Sequence, residues 1–157
     1  MNASAVSLLR EAGIANPDRL VHLIRRTIDF LELDLRGLVV LTEAASGPYV
    51  VTPIIAGLAG ADRVIALTRA SCYGTVEAVT AQTQALAELC GVKVVGSSGV
   101  RSGDGGACPA PTVELHADRT LDLFATADII TNLGFVRPID GDVVAAMKPT
   151  AVVPLMC

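Results

Sequence analysis

Three short segments carry the residue types suited to holding a phosphorylated ligand: TEAASGPYV from Thr42, TRAS from Thr68 and TNLG from Thr131. In the first, Ser46 and the backbone amides of Gly47, Tyr49 and Val50 can donate to phosphate oxygens, as turns that enter helices do. Glu43 opposes that role unless it points away or takes a ribose or ammonium group. On the G-x-G-x-x-G template Gly47 takes the central place, while Ala45 and Val50 stand where the outer glycines would be, so two of three steric allowances are absent. A purely structural turn is the competing reading.

In the second segment, Arg69 lies about 20 residues beyond the turn, where a dinucleotide fold places the group that reads the ribose. A cation flanked by Thr68 and Ser71 suits a 2′-phosphate better than a free diol, and a solvated rim charge is the alternative. In the third, Asn132, Leu133 and Gly134 stand where the chain passes a bound nicotinamide ribose, with Gly134 allowing close approach or simply serving a turn. Arg137 and Asp140 follow, the latter read first as a helix cap. Tyr49 and Tyr73 each follow a strand end and can present a hydroxyl. His22 and His116 show no carboxylate or nucleophile partner in sequence, and Cys72 has no adjacent base, so the catalytic residues stay unassigned.

These segments need a frame that brings them to one edge, and the apolar pattern supplies it. Runs at Leu38–Thr42, Arg63–Thr68, Val92–Gly96, Asp128–Leu133 and Ala151–Met156 have the length of strands buried on both faces. Helical patterns alternate with them, near Pro53–Leu58, at Thr75–Cys90 with a Thr75 cap and Gly91 beyond its end, and after Asp140 until Pro149. Val113–Leu115 adds a short edge segment, Asp118–Phe124 a short helix, and Ser97–Pro111 a long loop. Two helices lead the chain, Ser4–Ala12 and Pro17–Leu33, the second capped by Asn16 and bearing Arg19, Arg25 and Arg26 off its apolar stripe. The expectation is an α/β, Rossmann-like, doubly wound parallel sheet of about five strands in the order 3-2-1-4-5. Residues 1–36 form a helical arm and 37–157 a nucleotide-binding domain, read as either a minimal domain or a fragment.

Composition narrows the function classes. The 157 residues carry a net charge of −4 and only 3% aromatics, leaving neither a basic field nor a stacking platform for nucleic acid. No run approaches the length of a membrane span, and the first residues lack the pattern of a signal peptide. Cys72, Cys90, Cys108 and Cys157 form no C-x-x-C pair, and two histidines give no metal-ligand spacing, so reduced thiols, a cytoplasmic location and no metal are expected.

The segment ADIITNLG followed by IDGDVVAAMKPTAVV, within Ala127–Met156, resembles the second half of the NAD(P)-binding domain of D-2-hydroxyacid dehydrogenases, alanine dehydrogenases and S-adenosylhomocysteine hydrolases. The resemblance implies a dinucleotide cofactor, but these families' catalytic residues come from a substrate domain with no counterpart here. VLTEAASGPY, from Val40, is also similar to the first motif of class I S-adenosylmethionine-dependent methyltransferases. The leading expectation is an NADP- or NAD-binding domain or subunit of an oxidoreductase acting on a small carbonyl or imine compound. Ser46, Gly47, Tyr49, Thr68, Arg69, Ser71, Asn132, Leu133 and Gly134 line the cofactor. A second copy packed on the leading helices, or a partner subunit, completes it. The alternatives are an S-adenosylmethionine-dependent protein and a non-catalytic scaffold with the same fold.

Overall fold

The computed structural model describes residues 3–96 and 111–154. Its centre is an all-parallel sheet of β1 (Val39–Glu43), β2 (Arg63–Leu67), β3 (Lys93–Gly96), β4 (Thr112–His116) and β5 (Ile129–Ile130), in the spatial order β3-β4-β2-β1-β5. The expected α/β doubly wound class is therefore present. One strand differs from expectation: the Val113–Leu115 segment is not at an edge but lies inside the sheet, between β2 and β3. Val113 is fully buried and Leu115 nearly so, which an edge position does not require. The final strand shrinks to one bridge, Val152 to Ile129, and 155–156 of that expected strand lie outside the described residues.

Strand alternation sends the two core layers to opposite faces. Val40, Val64, Ala66, Val113 and Leu115 share a core with α3 (Val51–Leu58) and α4 (Val76–Cys90), and α1 (Ala3–Glu11) and α2 (Pro17–Phe30) lie over those two helices. Leu41, Ile65, Leu67 and Ile130 pack with Phe124 and Val143 of α5 (Leu121–Thr126) and α6 (Gly141–Ala146). Caps set several helix ends as the sequence reads. Thr75 accepts from Ala78 N at 3.2 Å, Asp140 from Val143 N at 3.0 Å and Asn16 from Arg19 N at 3.0 Å. Gly91 ends α4 in the left-handed region, at φ 75°. The expected long loop falls at 97–110, outside the described residues.

Three helices depart clearly from expectation, the first being α5, which runs Leu121–Thr126 rather than Asp118–Phe124. α2 stops at Phe30 rather than Leu33, because Glu32 turns left-handed (φ 50°) and Leu33 N reaches back to Ile28 O at 3.0 Å. The helix expected near Pro53 begins earlier. Gly47–Val50 forms a turn of 3₁₀ helix that runs directly into α3, so Glu43–Val51 is not a wide loop. Arg25 is also more than a solvated charge, since its guanidinium donates to Cys90 O at 2.7 Å, at the carbonyl end of α4.

Candidate functional site

In a parallel sheet, ligands sit beyond the carboxyl ends of the strands, where neighbouring strands send their connections to opposite faces. β1 and β5 are such neighbours: β1 leads through Gly47–Val50 to α3 on one face, and β5 leads to α6 on the other. All nine residues expected to line a cofactor follow the carboxyl ends of β1, β2 or β5, and the sheet brings those three ends side by side.

The turn after β1 is built around Gly47, whose φ of +65° disfavours any other residue and whose missing side chain would meet nothing within 4 Å. Ser46 makes no capping bond, and its Cβ lies 3.8 Å from the Cβ position of Gly74. That contact joins the turn to the Ser71–Gly74 bridge, closed by Ser71 N to Gly74 O (3.0 Å) and the reverse bond (3.3 Å), with Ser71 Oγ accepting from Tyr73 N at 3.2 Å. At the third-glycine position Val50 is fully buried in the core, which accounts for the absence of a glycine there. Tyr49 and Tyr73 are exposed.

Thr68, one residue past β2, is 3% exposed, and its Oγ1 is buried without a hydrogen-bond partner among the described residues. Such an atom forgoes about 1–3 kcal/mol of solvation, an expense proteins rarely retain without a use for it. Its neighbour Arg69 is exposed and lies over the Phe135 ring, 4.9 Å from the centroid. Phe135 follows β5 while Arg69 follows β2, so this contact spans the end of β1.

Beneath it stands Glu43, 5% exposed, whose Oε2 accepts from Phe135 N at 2.7 Å and lies 3.6 Å from the Cβ position of Gly134. By alternation Glu43 shares the face of Leu41, whereas the Gly47 turn leads to the opposite face. The carboxylate is thus committed to the β5 side. Thr42 and Thr131 join hydroxyls at 3.0 Å, and Asn132 is held by Arg137, whose Nε donates to Asn132 Oδ1 at 2.7 Å and to its carbonyl at 3.1 Å.

One residue set aside in the sequence has a partner after all. His116, at the end of β4, places Nε2 3.4 Å from Glu114 Oε2, and Arg63 grips the same carboxylate with Nε at 2.9 and 3.0 Å and Nη2 at 2.7 Å. Burial alone would raise the Glu114 carboxyl, but Arg63 and then His116 outweigh it and hold the group below its usual range. The Arg63 guanidinium is raised in turn by its bonds to Glu114. The readable signal was the i, i+2 spacing of Glu114 and His116, which meant nothing until 112–116 was a strand. Register then places His116 and Glu43 on either side of Leu67, about 10 Å apart on one face. Together the edge holds a carboxylate, an imidazole and a guanidinium, a set able to bind anionic and hydroxylated groups and to exchange protons. No protein-family model, curated protein or solved structure matches the chain.

Proposed function

We propose that the chain binds a nicotinamide dinucleotide, NADP or NAD, across the carboxyl ends of β2, β1 and β5. It serves as the cofactor half of an oxidoreductase acting on a small carbonyl or imine compound. The observation that carries this reading is the switch point between β1 and β5, with Gly47 in a left-handed turn whose flank is open. The residues present suit such a group: Gly47 lets backbone amides approach a phosphate, Thr68 Oγ1 lacks a partner among the described residues, and Arg69 offers charge for a 2′-phosphate. Glu43 is turned to the other face and bonded to Phe135 N, so its own charge is directed away from the phosphate turn. When bound, a nicotinamide supplies hydride chemistry; the chain's own residues bind it, orient it and exclude water.

A second reading rests on Glu43, a buried carboxylate able to take the ammonium group of S-adenosylmethionine. Calorimetric titration with NADPH, NADH and S-adenosylmethionine separates the readings. NADPH should bind tighter than NADH, and Arg69→Asp should weaken NADPH more than NADH. No heat and no gain in melting temperature with either dinucleotide at millimolar concentration would end the dehydrogenase reading. Binding of S-adenosylmethionine alone would install the second, and silence from all three would leave a scaffold.

A further inference from the structure

The leading helices were expected to pack either on their own sheet or on a second copy. They pack on α4 and α3, the helices that cover one face of the sheet, with Leu9 and Ile24 buried, yet α2 leaves a second apolar surface uncovered. Phe30 is 83% exposed and Leu31 63%, with Leu23 and Leu33 also exposed beside them. Leu23, Thr27, Phe30 and Leu31 recur at helical spacing, so they form one ridge. The chain has three phenylalanines; Phe124 is in the core and Phe135 lies under Arg69, so Phe30 alone stands in water. Beside the ridge opens a concavity of about 500 Å³ lined in part by Ile28, Asp29, Glu32, Leu33 and Leu58. Its rim includes Glu32, a non-glycine residue held at φ 50°, a conformation that costs about 1 kcal/mol.

We propose that this surface is the interface of a two-fold homodimer with Phe30 near the axis. Charge identifies the occupant. From Arg19 to Arg26 the chain has three arginines and no acid, and from Asp29 to Asp34 three acids and no base. A two-fold axis near Phe30 runs α2 antiparallel to its copy and lays the basic stretch of each over the acidic stretch of the other. Arg26, one turn before Phe30, then faces Asp29 and Glu32 across the axis. Asp34 is already held by Arg36, at 2.6 Å, and Arg25 by Cys90 O, so Arg26 is the cation left to cross near the axis. A foreign partner would need to reproduce both charge blocks in reverse; a second copy does so by symmetry. The surface lies at the amino end of the sheet, away from the cofactor edge, so the dimer stands or falls independently of the proposed function.

Sedimentation equilibrium of the full chain tests this, with a dimer expected at about twice the 16.2 kDa chain mass. Phe30→Glu, on an exposed side chain, should give monomer with an unchanged melting transition by circular dichroism. Arg26→Glu should also dissociate the dimer, and adding Glu32→Arg should restore it. A wild-type chain that stays monomeric at about 100 μM, an affinity range weak dimers reach, would overturn the proposal. A Phe30→Glu chain that stays dimeric would overturn it equally.

Discussion

Replacing Glu114 by Gln keeps the side-chain volume and one acceptor oxygen but removes the charge that Arg63 grips. Three contacts of 2.7 to 3.0 Å are weakened at once. Breaking a fully buried pair costs about 3–5 kcal/mol, and an exposed pair is worth about 0–1 kcal/mol. Here the carboxylate side chain is 12% exposed and the guanidinium side chain 31%, so the loss falls between those limits, at about 2 kcal/mol. For a domain of this size that lowers the melting temperature by about 6 °C. The pH dependence follows from the depressed carboxyl of Glu114. Its stabilisation is fully present above the unfolded value near 4.5 and is lost as pH falls through the lower folded value. Urea unfolding of wild type and Glu114→Gln between pH 7 and pH 3.5 should show a gap that is widest at neutral pH and narrows on acidification. A constant gap across that range, or none at pH 7, would mean that Arg63 and Glu114 are not coupled as the geometry states. A double-mutant cycle with Arg63→Met should return a coupling of about 1–2 kcal/mol.

Thr68→Val removes a buried hydroxyl that has no partner among the described residues, so it should leave stability unchanged or raise it by about 1 kcal/mol in urea melts while weakening dinucleotide binding. Loss of more than that would show that the hydroxyl is bonded. Asp140→Ala removes the cap that accepts from Val143 N and should cost about 1 kcal/mol. Cys90 is buried, which pushes its thiol above the ordinary value, whereas Cys72 is exposed. A neutral thiol reagent followed by peptide mapping should therefore label Cys72 well before Cys90 in the native chain, and comparable rates would contradict that placement.

The elements with their own local signals were legible from sequence. α4 carried a threonine cap, an apolar stripe and a terminal glycine, and its bounds follow those signals. Asp140 likewise capped its helix. The interior place of β4 was not legible, because a segment as short as Val113–Leu115 shows no periodicity that separates an edge from a centre; only its neighbours β2 and β3 decide that. The same gap hid the site's second half. Glu43 and His116 are far apart in sequence and meet one row only once β1, β2 and β4 are in register. The early start of α3 escaped because Pro48, not Pro53, sits in the opening of the helical stretch, at the second position of the 3₁₀ turn.

The insertion of β4 between β2 and β3 also sets an order of assembly. β1 and β2 can pair as soon as the chain has reached Leu67, but among the described residues β3 has no sheet neighbour other than β4, which comes after it in sequence. Until Thr112–His116 arrives, β3 can be held only through α4, and the ladder groups of both β2 and β3 face an empty lane. A chain cut before Thr112 would therefore leave two strands with apolar faces on both sides and an open edge, a form prone to pairing with its own kind. The return of that single strand is what joins β3 to β2 in one sheet.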